Sequence, residues 1–296
     1  MPELPEITVY LDALERRILG RPLERVRLRS PSLLRSYDPP LSAVEGRRVL
    51  GLRRIGKRIV WQLEDDLFLV LHLMIAGRLR WKKKGAPVPK KGAHAAFDFP
   101  DGTLLLTEAA THKRARLHVV RGEEALAALD PGGLEPLDAD PDAFRAALTR
   151  ENHTLKRALT DPRLLSGIGN AHSDEILLDA RLSPLKRTHQ LNDDELRRLY
   201  DATRASLAAW IERLRAETGD AFPEKVTAFH PAMKVHGRFR QPCPNCGTAI
   251  QRIVHGEHEV NYCPRCQTGG RLMRDRALSK LLREDWPATI DEWEGR

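Results

Sequence analysis

Apolar side chains recur at three- and four-residue steps in the first segment of the chain, PEITVYLDALERRILG (5–20). The series is Ile7, Leu11, Leu14 and Ile18. It predicts an amphipathic helix that Gly20 ends. From there to about residue 121 the pattern changes to short alternating or apolar runs between turn signals, among them the pair Asp101-Gly102. Several short strands at this spacing predict a β-sandwich or barrel.

A stretch rich in Pro, Gly and Asp, DPGGLEPLDADPD (130–142), predicts a linker to a second half with helical periodicity. Helices are expected in AFRAALTR, TLKRALTD, NAHSDEILLDARL and NDDELRRLYDATRASLAAWIERLRAE. Asn192 and Glu195 fit a capping box at the start of the last helix. The segment RALSKLLRED (276–285) could add one or two amphipathic turns near the C-terminus. Together the two halves predict an α+β multidomain chain.

Composition and charge narrow the classes of function. The chain has 296 residues with 41% hydrophobic content, which suits two or three folded domains. Its apolar runs are shorter than the roughly 18–20 residues that span a bilayer, and its acidic start does not resemble a signal peptide. We therefore expect a cytoplasmic protein without a membrane partner.

The net charge is +8, and residues 46–91 hold 13 Lys and Arg against three acidic residues. Such a stretch predicts an anionic partner, of which nucleic acid is the commonest. A solvated charged face is the alternative interpretation of the charge alone.

All four cysteines lie in two close pairs, Cys243 with Cys246 and Cys263 with Cys266, with 16 residues between the pairs. In a cytosolic protein such pairs indicate metal rather than disulfides, and the spacing is typical of a zinc ribbon with a β-hairpin between the pairs. Four thiolates close a tetrahedral site and leave no position for a substrate water. We therefore expect one structural Zn²⁺, and four reduced cysteines without metal are the alternative.

A glycine-rich turn, LLSGIGNAHSDEIL (164–177), joins two predicted helices. Gly167 and Gly169 bracket one apolar residue, and Asn170 follows at a helix start. Exposed backbone amides at such a place bind phosphate well, although a Gly-x-Gly pair alone is usually only a turn.

In their order and spacing, these motifs resemble the formamidopyrimidine-DNA glycosylase / endonuclease VIII family of base-excision repair glycosylases. The resemblance covers most of residues 1–268. It rests on PELPE at the N-terminus, IGKR, HLMIAGRL (72–79), the glycine turn, VHGR (235–238) and the four-cysteine finger.

The resemblance implies a β-sandwich domain and a helical domain with a helix–two-turn–helix element, which flank a DNA cleft, followed by a zinc hairpin. The expected parts are an N-terminal catalytic β-sandwich domain (1–130), a linker (131–142), a helical domain (143–234), a zinc-finger hairpin (235–270) and a C-terminal extension without an assigned role (271–296).

The resemblance also implies a reaction at the N-terminus. Removal of Met1 would expose Pro2 as a secondary amine, and α-amino groups titrate at about pH 8, so a useful fraction is neutral. Attack on the sugar C1′ displaces the base and leaves an iminium, which permits β- and then δ-elimination. Pro2 is then the nucleophile, Glu3 the acid/base, Glu6 a supporting carboxylate and Lys57 a loop lysine that holds a phosphate. An ordinary helix N-cap is the alternative for Pro2 and Glu3.

The resemblance also implies several residues that contact DNA. Asn170 matches the phosphate contact at the glycine turn, and Lys156 is a further candidate. A family of this kind flips its target base and fills the gap with a side chain. The family order His-Leu-Gly-Met is His-Leu-Met-Ile here, so the wedge is Met74 or Ile75.

Two family positions differ in this chain. In the loop EAATHKRARL (108–117), Arg114 is the candidate for the arginine that faces the orphan base, and Ala115 stands where the family has Phe. In the finger, His258 stands where the family has an arginine, and Arg252 is a candidate substitute. We therefore expect recognition of the opposite base and the finger contact to differ from those of the formamidopyrimidine enzymes.

The sequence thus predicts a bifunctional DNA glycosylase and abasic-site lyase, monomeric and bacterial in type, that acts on damaged double-stranded DNA of the nucleoid. PELPE with Leu4 resembles the formamidopyrimidine branch, which implies ring-opened purines and abasic sites as substrates, while the altered loops leave oxidised pyrimidines open. A non-catalytic lesion-binding protein on the same scaffold is the main alternative, favoured by the altered wedge and finger. A zinc-ribbon RNA-binding or translation factor fits the charge and the ribbon but leaves the N-terminal motif unexplained.

Overall fold

The computed structural model of the chain describes residues 1–224, 226, 230–255, 258–273 and 286–294. The helices are α1 (Leu4–Ile18), α2 (Glu123–Ala127), α3 (Pro141–Thr149), α4 (Leu155–Thr160), α5 (Asn170–Asp179), α6 (Asp193–Thr218), α7 (Pro264–Thr268) and α8 (Ile290–Glu294). The strands are β1 (Arg25–Leu28), β2 (Val49–Ile55), β3 (Arg58–Leu63), β4 (Leu67–His72), β5 (Gly77–Lys82), β6 (Ala93–Phe99), β7 (Gly102–Glu108), β8 (Arg116–Arg121), β9 (Gln251–His255) and β10 (His258–Tyr262). Within these ranges no helix has both the length and the apolar character that a bilayer span requires.

The chain divides into two compact units. Unit 1 comprises Met1–Pro131 with Trp210–Ala228, and unit 2 comprises Gly132–Ala209 with Phe229–Arg296. The boundary between them therefore falls inside α6. The five-part division expected from the sequence stays a prediction.

Unit 1 contains two four-stranded antiparallel sheets, with the strand orders β1-β6-β7-β5 and β2-β3-β4-β8. Apolar side chains from both sheets and from α1 share one core, which confirms the predicted sandwich. In this core Trp61 of β3 meets Phe97 of β6 edge-on, with 5.2 Å between ring centroids.

The first helix has nearly the predicted bounds. Glu3 is its N-cap residue, and Pro5 lies in its first turn, where a missing N–H removes no helical hydrogen bond. Ile7, Leu14 and Ile18 are fully buried in the shared core, as their spacing predicts. The packing of this face fixes the N-terminus against the sandwich.

Two tight turns at one end of the second sheet carry predicted site residues. Lys57 lies with Gly56 in the two-residue loop between β2 and β3, where Gly56 has a φ of +58°. Between β4 and β5, the Gly77 N–H donates to the Leu73 carbonyl at 2.9 Å, and a Cβ at Gly77 would lie 2.2 Å from that oxygen. Glycine is therefore required at 77 for the turn that presents Met74.

Unit 2 begins with helices that largely follow the predicted pattern. The Asn192–Glu195 capping box is confirmed, because each residue's side chain accepts from the other's backbone N–H, at 2.8 and 3.1 Å. Asp140 caps α3 by accepting the Ala143 N–H at 2.7 Å, so this helix begins inside the stretch predicted as a linker. An Asp-Pro pair is a helix-start signal as well as a loop signal, which explains the difference.

The zinc module packs on α5. Strands β9 and β10 form the predicted antiparallel hairpin. Leu178 of α5 is buried in a small core with Val235, Ile250 and two of the cysteines. This core is too small to be stable alone, so the module depends on α5 and on metal.

The described end of the C-terminal extension returns to the zinc module. The Leu272 N–H donates to the Ala288 carbonyl at 2.9 Å, and the Ile290 N–H donates to the Gly270 carbonyl at 2.8 Å. Ile290 is fully buried. The amphipathic segment predicted at 276–285 lies outside the described residues.

Candidate active site and DNA-binding residues

The amino terminus of unit 1, the amine of Met1, is partly buried among charged groups. Burial lowers the pKa of this amine from its usual value of 8.0. The cations of Arg78 and Lys57 lower the pKa further, while the carboxylates of Glu3 and Glu6 act in the opposite direction. The same surroundings, which exclude water and place cations nearby, would favour the neutral, nucleophilic form of an amine at this end of the chain.

Glu3 and Glu6 are both only 2% exposed, and a hydrogen bond links them. Glu6 Oε2 accepts a hydrogen bond from the backbone N–H of Glu3 at 2.7 Å. This bond holds the peptide that directly follows Pro2, which is itself buried. As the N-cap of α1, Glu3 also lies at the positive end of the helix dipole. The N-cap interpretation of Glu3 is therefore confirmed, and the Glu3 carboxylate acts on the amine of Met1.

Arg78 also lies at this terminus. The sequence motifs did not identify it as a site residue. Its guanidinium donates to the carbonyls of Gly77 at 2.7 Å and Ile75 at 3.3 Å. These bonds tie the cation to the turn between β4 and β5. Arg78 belongs to the motif HLMIAGRL, but nothing in the local pattern shows that β5 begins next to the chain terminus.

His72, at the end of β4, is a second residue of that motif without a predicted role. Burial, together with the cations of Arg58, Lys57 and Arg116, lowers the pKa of His72 to about 3. The imidazole is therefore neutral at pH 7 and adds no charge to this basic region. A neutral imidazole still donates one N–H and accepts at its other ring nitrogen.

The two wedge candidates differ in exposure. Met74 has a φ of +52° and is partly buried, whereas Ile75 at the tip of the turn is 53% exposed. Of the two candidates, Ile75 therefore presents more of its apolar surface to solvent.

A buried pair anchors the loop that carries Arg114. Glu108 and His94 are each 1% exposed and are hydrogen-bonded at 2.7 Å. Glu108 also accepts the backbone N–H groups of Arg114 at 3.0 Å and Ala115 at 3.2 Å. The Arg114 side chain is exposed, while Ala115 is buried in the sandwich core. Position 115 therefore presents no aromatic side chain at the surface.

In unit 2, Asn170 is the first residue of α5, and its side-chain amide donates to the Glu259 carbonyl at 2.9 Å. Lys156 is only 8% exposed. Its ammonium donates to the Asn170 carbonyl at 2.7 Å and to Ser173 Oγ at 2.8 Å. The Lys156 ammonium is thus directed at groups of the protein around the predicted phosphate-binding turn.

The candidate finger arginine is held in place. The Arg252 guanidinium lies 4.3 Å from the ring centroid of Phe239 and 3.0 Å from the Glu259 carboxylate. His258 begins β10, and its side chain lies outside the described residues.

The four cysteine sulfurs converge within 4.8 Å of one another. Cys246 and Cys263 are 3.4 Å apart, and Cys243 and Cys266 are 3.9 Å apart. A tetrahedral zinc ion with Zn–S bonds of about 2.3 Å needs sulfurs roughly 3.8 Å apart, so the cluster fits the predicted structural Zn²⁺. Bound zinc would hold the two Cys-x2-Cys turns together and supply no chemistry to a substrate.

Metal analysis is expected to find one zinc ion per chain, and Cys263→Ser is expected to lose it. Because Cys263 is buried in the small core on α5, the hairpin should unfold and affinity for DNA should fall. Circular dichroism and DNA binding before and after chelation measure this, and added zinc should restore both. A metal-free chain that keeps its hairpin and its affinity would contradict the assignment.

The basic stretch at 46–91 is less positive than its composition suggests. At least five of its cations pair with acidic residues: Arg47 with Asp65, Arg48 with Glu64, Arg53 with Glu123, Lys82 with Glu224, and Lys84 with Glu24. These five cations therefore belong to a solvated, paired face. Its contribution to the candidate site comes from Lys57 and Arg78.

The predicted site residues fall in both units. Unit 1 holds Pro2, Glu3, Glu6, Lys57, Met74, Ile75 and Arg114, and unit 2 holds Lys156, Asn170, Arg252, His258 and the four cysteines. The structure brings the first four together around the amine, and it brings Asn170 together with Lys156.

Three family models match successive parts of the chain. The formamidopyrimidine-DNA glycosylase N-terminal domain matches residues 1–124, and the formamidopyrimidine-DNA glycosylase H2TH domain matches residues 132–220. The zinc finger found in FPG and IleRS matches residues 240–269. The third match agrees with the sulfur geometry, and the cluster is a structural zinc site.

Curated relatives and solved structures agree with these matches. The formamidopyrimidine-DNA glycosylase of Heliobacterium modesticaldum is 36% identical over 90% of this chain and 100% of its own length. That of Bacillus cereus is 30% identical over 90% of this chain and 99% of its own length. The structure of Lactococcus lactis Fpg with DNA containing an abasic site has a TM-score of 0.79 at 27% identity, covering 90% of this chain and 99% of that one. The chain belongs to the formamidopyrimidine-DNA glycosylase family.

Proposed function

We propose that this chain is a bifunctional DNA glycosylase and abasic-site lyase that removes oxidised bases from double-stranded DNA. The observation that carries the proposal is the chain terminus itself: Pro2 is buried next to Glu3, and the charges of Glu3, Glu6, Lys57 and Arg78 act on the amine that precedes it. A protein that only bound lesions would have no need of an N-terminal proline that the removal of Met1 exposes. We further propose that it acts as a monomer in the cytoplasm, on the DNA of a bacterial nucleoid.

The first step uses the Pro2 nitrogen after removal of Met1. Its lone pair attacks the sugar C1′, and the bond from C1′ to the base breaks with its electrons leaving on the base. Glu3, the next residue in the chain, moves the protons that the departing base and the opening sugar need. The product is a free base and an iminium between Pro2 and C1′.

The lyase steps follow from the iminium. It withdraws electrons, so the C2′ proton becomes acidic and its loss expels the 3′ phosphate. A second loss expels the 5′ phosphate, and water then releases the sugar fragment from Pro2. Lys57 and Arg78 place positive charge where these phosphates leave, and Glu6 keeps the backbone of Glu3 in position.

The phosphates away from the lesion are assigned to unit 2. The N-terminus of α5 offers backbone amides, and Asn170 lies at its first position. The Arg252 cation, held by Phe239 and Glu259, substitutes for the family arginine whose place His258 takes. We propose that Arg114 approaches the orphan base without an aromatic neighbour.

For the lesion, we propose ring-opened purines and abasic sites as the preferred class. The Lactococcus structures contain DNA with an abasic site, with Fapy-dG and with an oxidised pyrimidine, so that protein accommodates more than one class. A panel of duplexes carrying ring-opened purine, 8-oxoguanine, thymine glycol and an abasic site tests this, with base release and strand nicking measured separately. Binding to every lesion without release or nicking would instead support a non-catalytic lesion-binding protein.

Ile75→Ala is expected to slow base release by about 10- to 100-fold, and Met74→Ala by much less. An exposed isoleucine that enters the gap in the stack would bury surface worth roughly 1.5–3 kcal/mol. Single-turnover excision from a lesion duplex measures the effect, and the same variants on a preformed abasic site serve as the control. A larger effect from Met74 would assign the wedge to that residue.

A further inference from the structure

A cluster of buried polar and charged side chains lies next to Asn170 in unit 2. Asp174 of α5 has a side chain with no exposure, and the side chains of Lys156 and His236 are 10% and 7% exposed. Charges are buried at high cost unless they are paired and hydrogen-bonded. The cluster therefore requires an explanation beyond general packing.

Both carboxylate oxygens of Asp174 accept hydrogen bonds. Its Oδ1 accepts from Lys156 Nζ at 2.5 Å, and its Oδ2 accepts from His236 Nδ1 at 2.8 Å and from the Asn261 backbone N–H at 3.2 Å. Since a carboxylate only accepts, Nδ1 is the protonated nitrogen of His236. One side chain thus connects α5 to α4, to the segment at 236 and to β10 of the zinc hairpin.

The same contacts reach Asn170 at two points. Lys156, oriented by Asp174, donates to the Asn170 carbonyl at 2.7 Å. Strand β10, which Asp174 holds through Asn261, provides the Glu259 carbonyl that accepts from the Asn170 amide at 2.9 Å. Both the backbone and the side chain of Asn170 are therefore fixed by groups that Asp174 orients.

We infer that Asp174 is the positioning residue of the phosphate-binding turn, and that it acts through Lys156 and β10 without contacting DNA. The inference rests on the phosphate contact proposed for Asn170. It also changes the role expected for Lys156, which holds Asn170 in place rather than binding DNA itself.

Asp174→Asn tests the inference, because an amide has one acceptor oxygen and would turn an NH2 group toward a donor. The matched control is Asp179→Asn, on the same helix, whose carboxylate pairs with Lys234 at a more exposed place. For a duplex with a tetrahydrofuran abasic analogue, we expect Asp174→Asn to raise the Kd by about tenfold or more. The single-turnover cleavage rate at saturating abasic DNA should stay within about twofold of wild type, since the amine is untouched. The control should change neither value.

A double-mutant cycle with Asn170→Ala separates positioning from a loss of stability. If Asp174 acts through Asn170, then Asn170→Ala should weaken binding less in the Asp174→Asn background than in wild type. Additive effects would overturn the inference. So would a wild-type Kd for Asp174→Asn.

A second variant covers the case in which Asp174→Asn does not fold. Lys156→Met with Asp174→Leu removes both buried charges together, a change that commonly preserves a fold. Zinc content and thermal unfolding verify that it is folded, and the same rise in Kd is expected, whereas a wild-type Kd would contradict the inference. A wild-type chain that neither binds the tetrahydrofuran duplex nor nicks a duplex with a natural abasic site would contradict the proposed function, and this inference with it.

Discussion

A chain with one extra residue ahead of Pro2 is expected to lose abasic-site cleavage by about 10³-fold or more while it keeps its fold. The added residue converts the secondary amine of Pro2 into a tertiary amide, which has no basic lone pair and cannot form an iminium. The new terminal amine lies one residue ahead of the Pro2 nitrogen, at the position of the Met1 amine, and is therefore displaced from the reacting position proposed for Pro2. Rates of strand nicking on a preformed abasic duplex measure the effect.

The control for this variant is the same residue added after Arg296. Thermal unfolding and affinity for an uncleavable abasic analogue should be unchanged in both chains. The core contacts of α1 start at Leu4 and Ile7, so an extension at Pro2 leaves them intact. Undiminished nicking by the extended chain would assign the nucleophile to another residue.

Glu3→Gln is expected to reduce release of a damaged base by roughly 10²- to 10⁴-fold, the usual range for a lost general acid or base. Gln cannot give a proton to the departing base. A preformed abasic site has no base to remove, so covalent capture of that substrate should decline far less. Comparison of base release with capture on an abasic duplex separates the two steps.

Glu15→Gln is the matched control, since Glu15 is an exposed carboxylate on the same helix. It should leave both steps at wild-type rates. If Glu3→Gln instead reduced both steps equally, Glu3 would act by holding the terminus rather than by moving protons.

Local pattern was sufficient for the parts of the fold that depend on neighbours in sequence. The apolar series of α1, the Asn192–Glu195 cap and the cysteine hairpin are all in place. The hairpin turn predicted at Asp101-Gly102 is present, but Gly102 already belongs to strand β7. Gly102 pairs with Phe99, and a Cβ on Gly102 would lie 2.3 Å from the Trp81 ring. This glycine is needed for a close approach across strands, which no local pattern reveals.

The sequence pattern missed some site residues for one reason. Their roles depend on contacts with residues that are far away in the chain. In the sequence, Arg78 and His72 look like ordinary strand residues. In the structure, the ends of β4 and β5 bring them close to the terminus and to Lys57. Asp174 likewise reads as one acid of a helix. Its role depends on His236 and Asn261, which are more than 60 residues away in the chain.

Borohydride trapping with abasic-site DNA, followed by peptide mapping of the adduct, tests the central claim most directly. Reduction of the iminium fixes the sugar to the atom that attacked it. A nucleophilic terminal amine predicts one adduct per active chain, on Pro2, in material from which Met1 has been removed. An adduct on Lys57 or another lysine, or no adduct from chains that bind the same DNA, would contradict the claim.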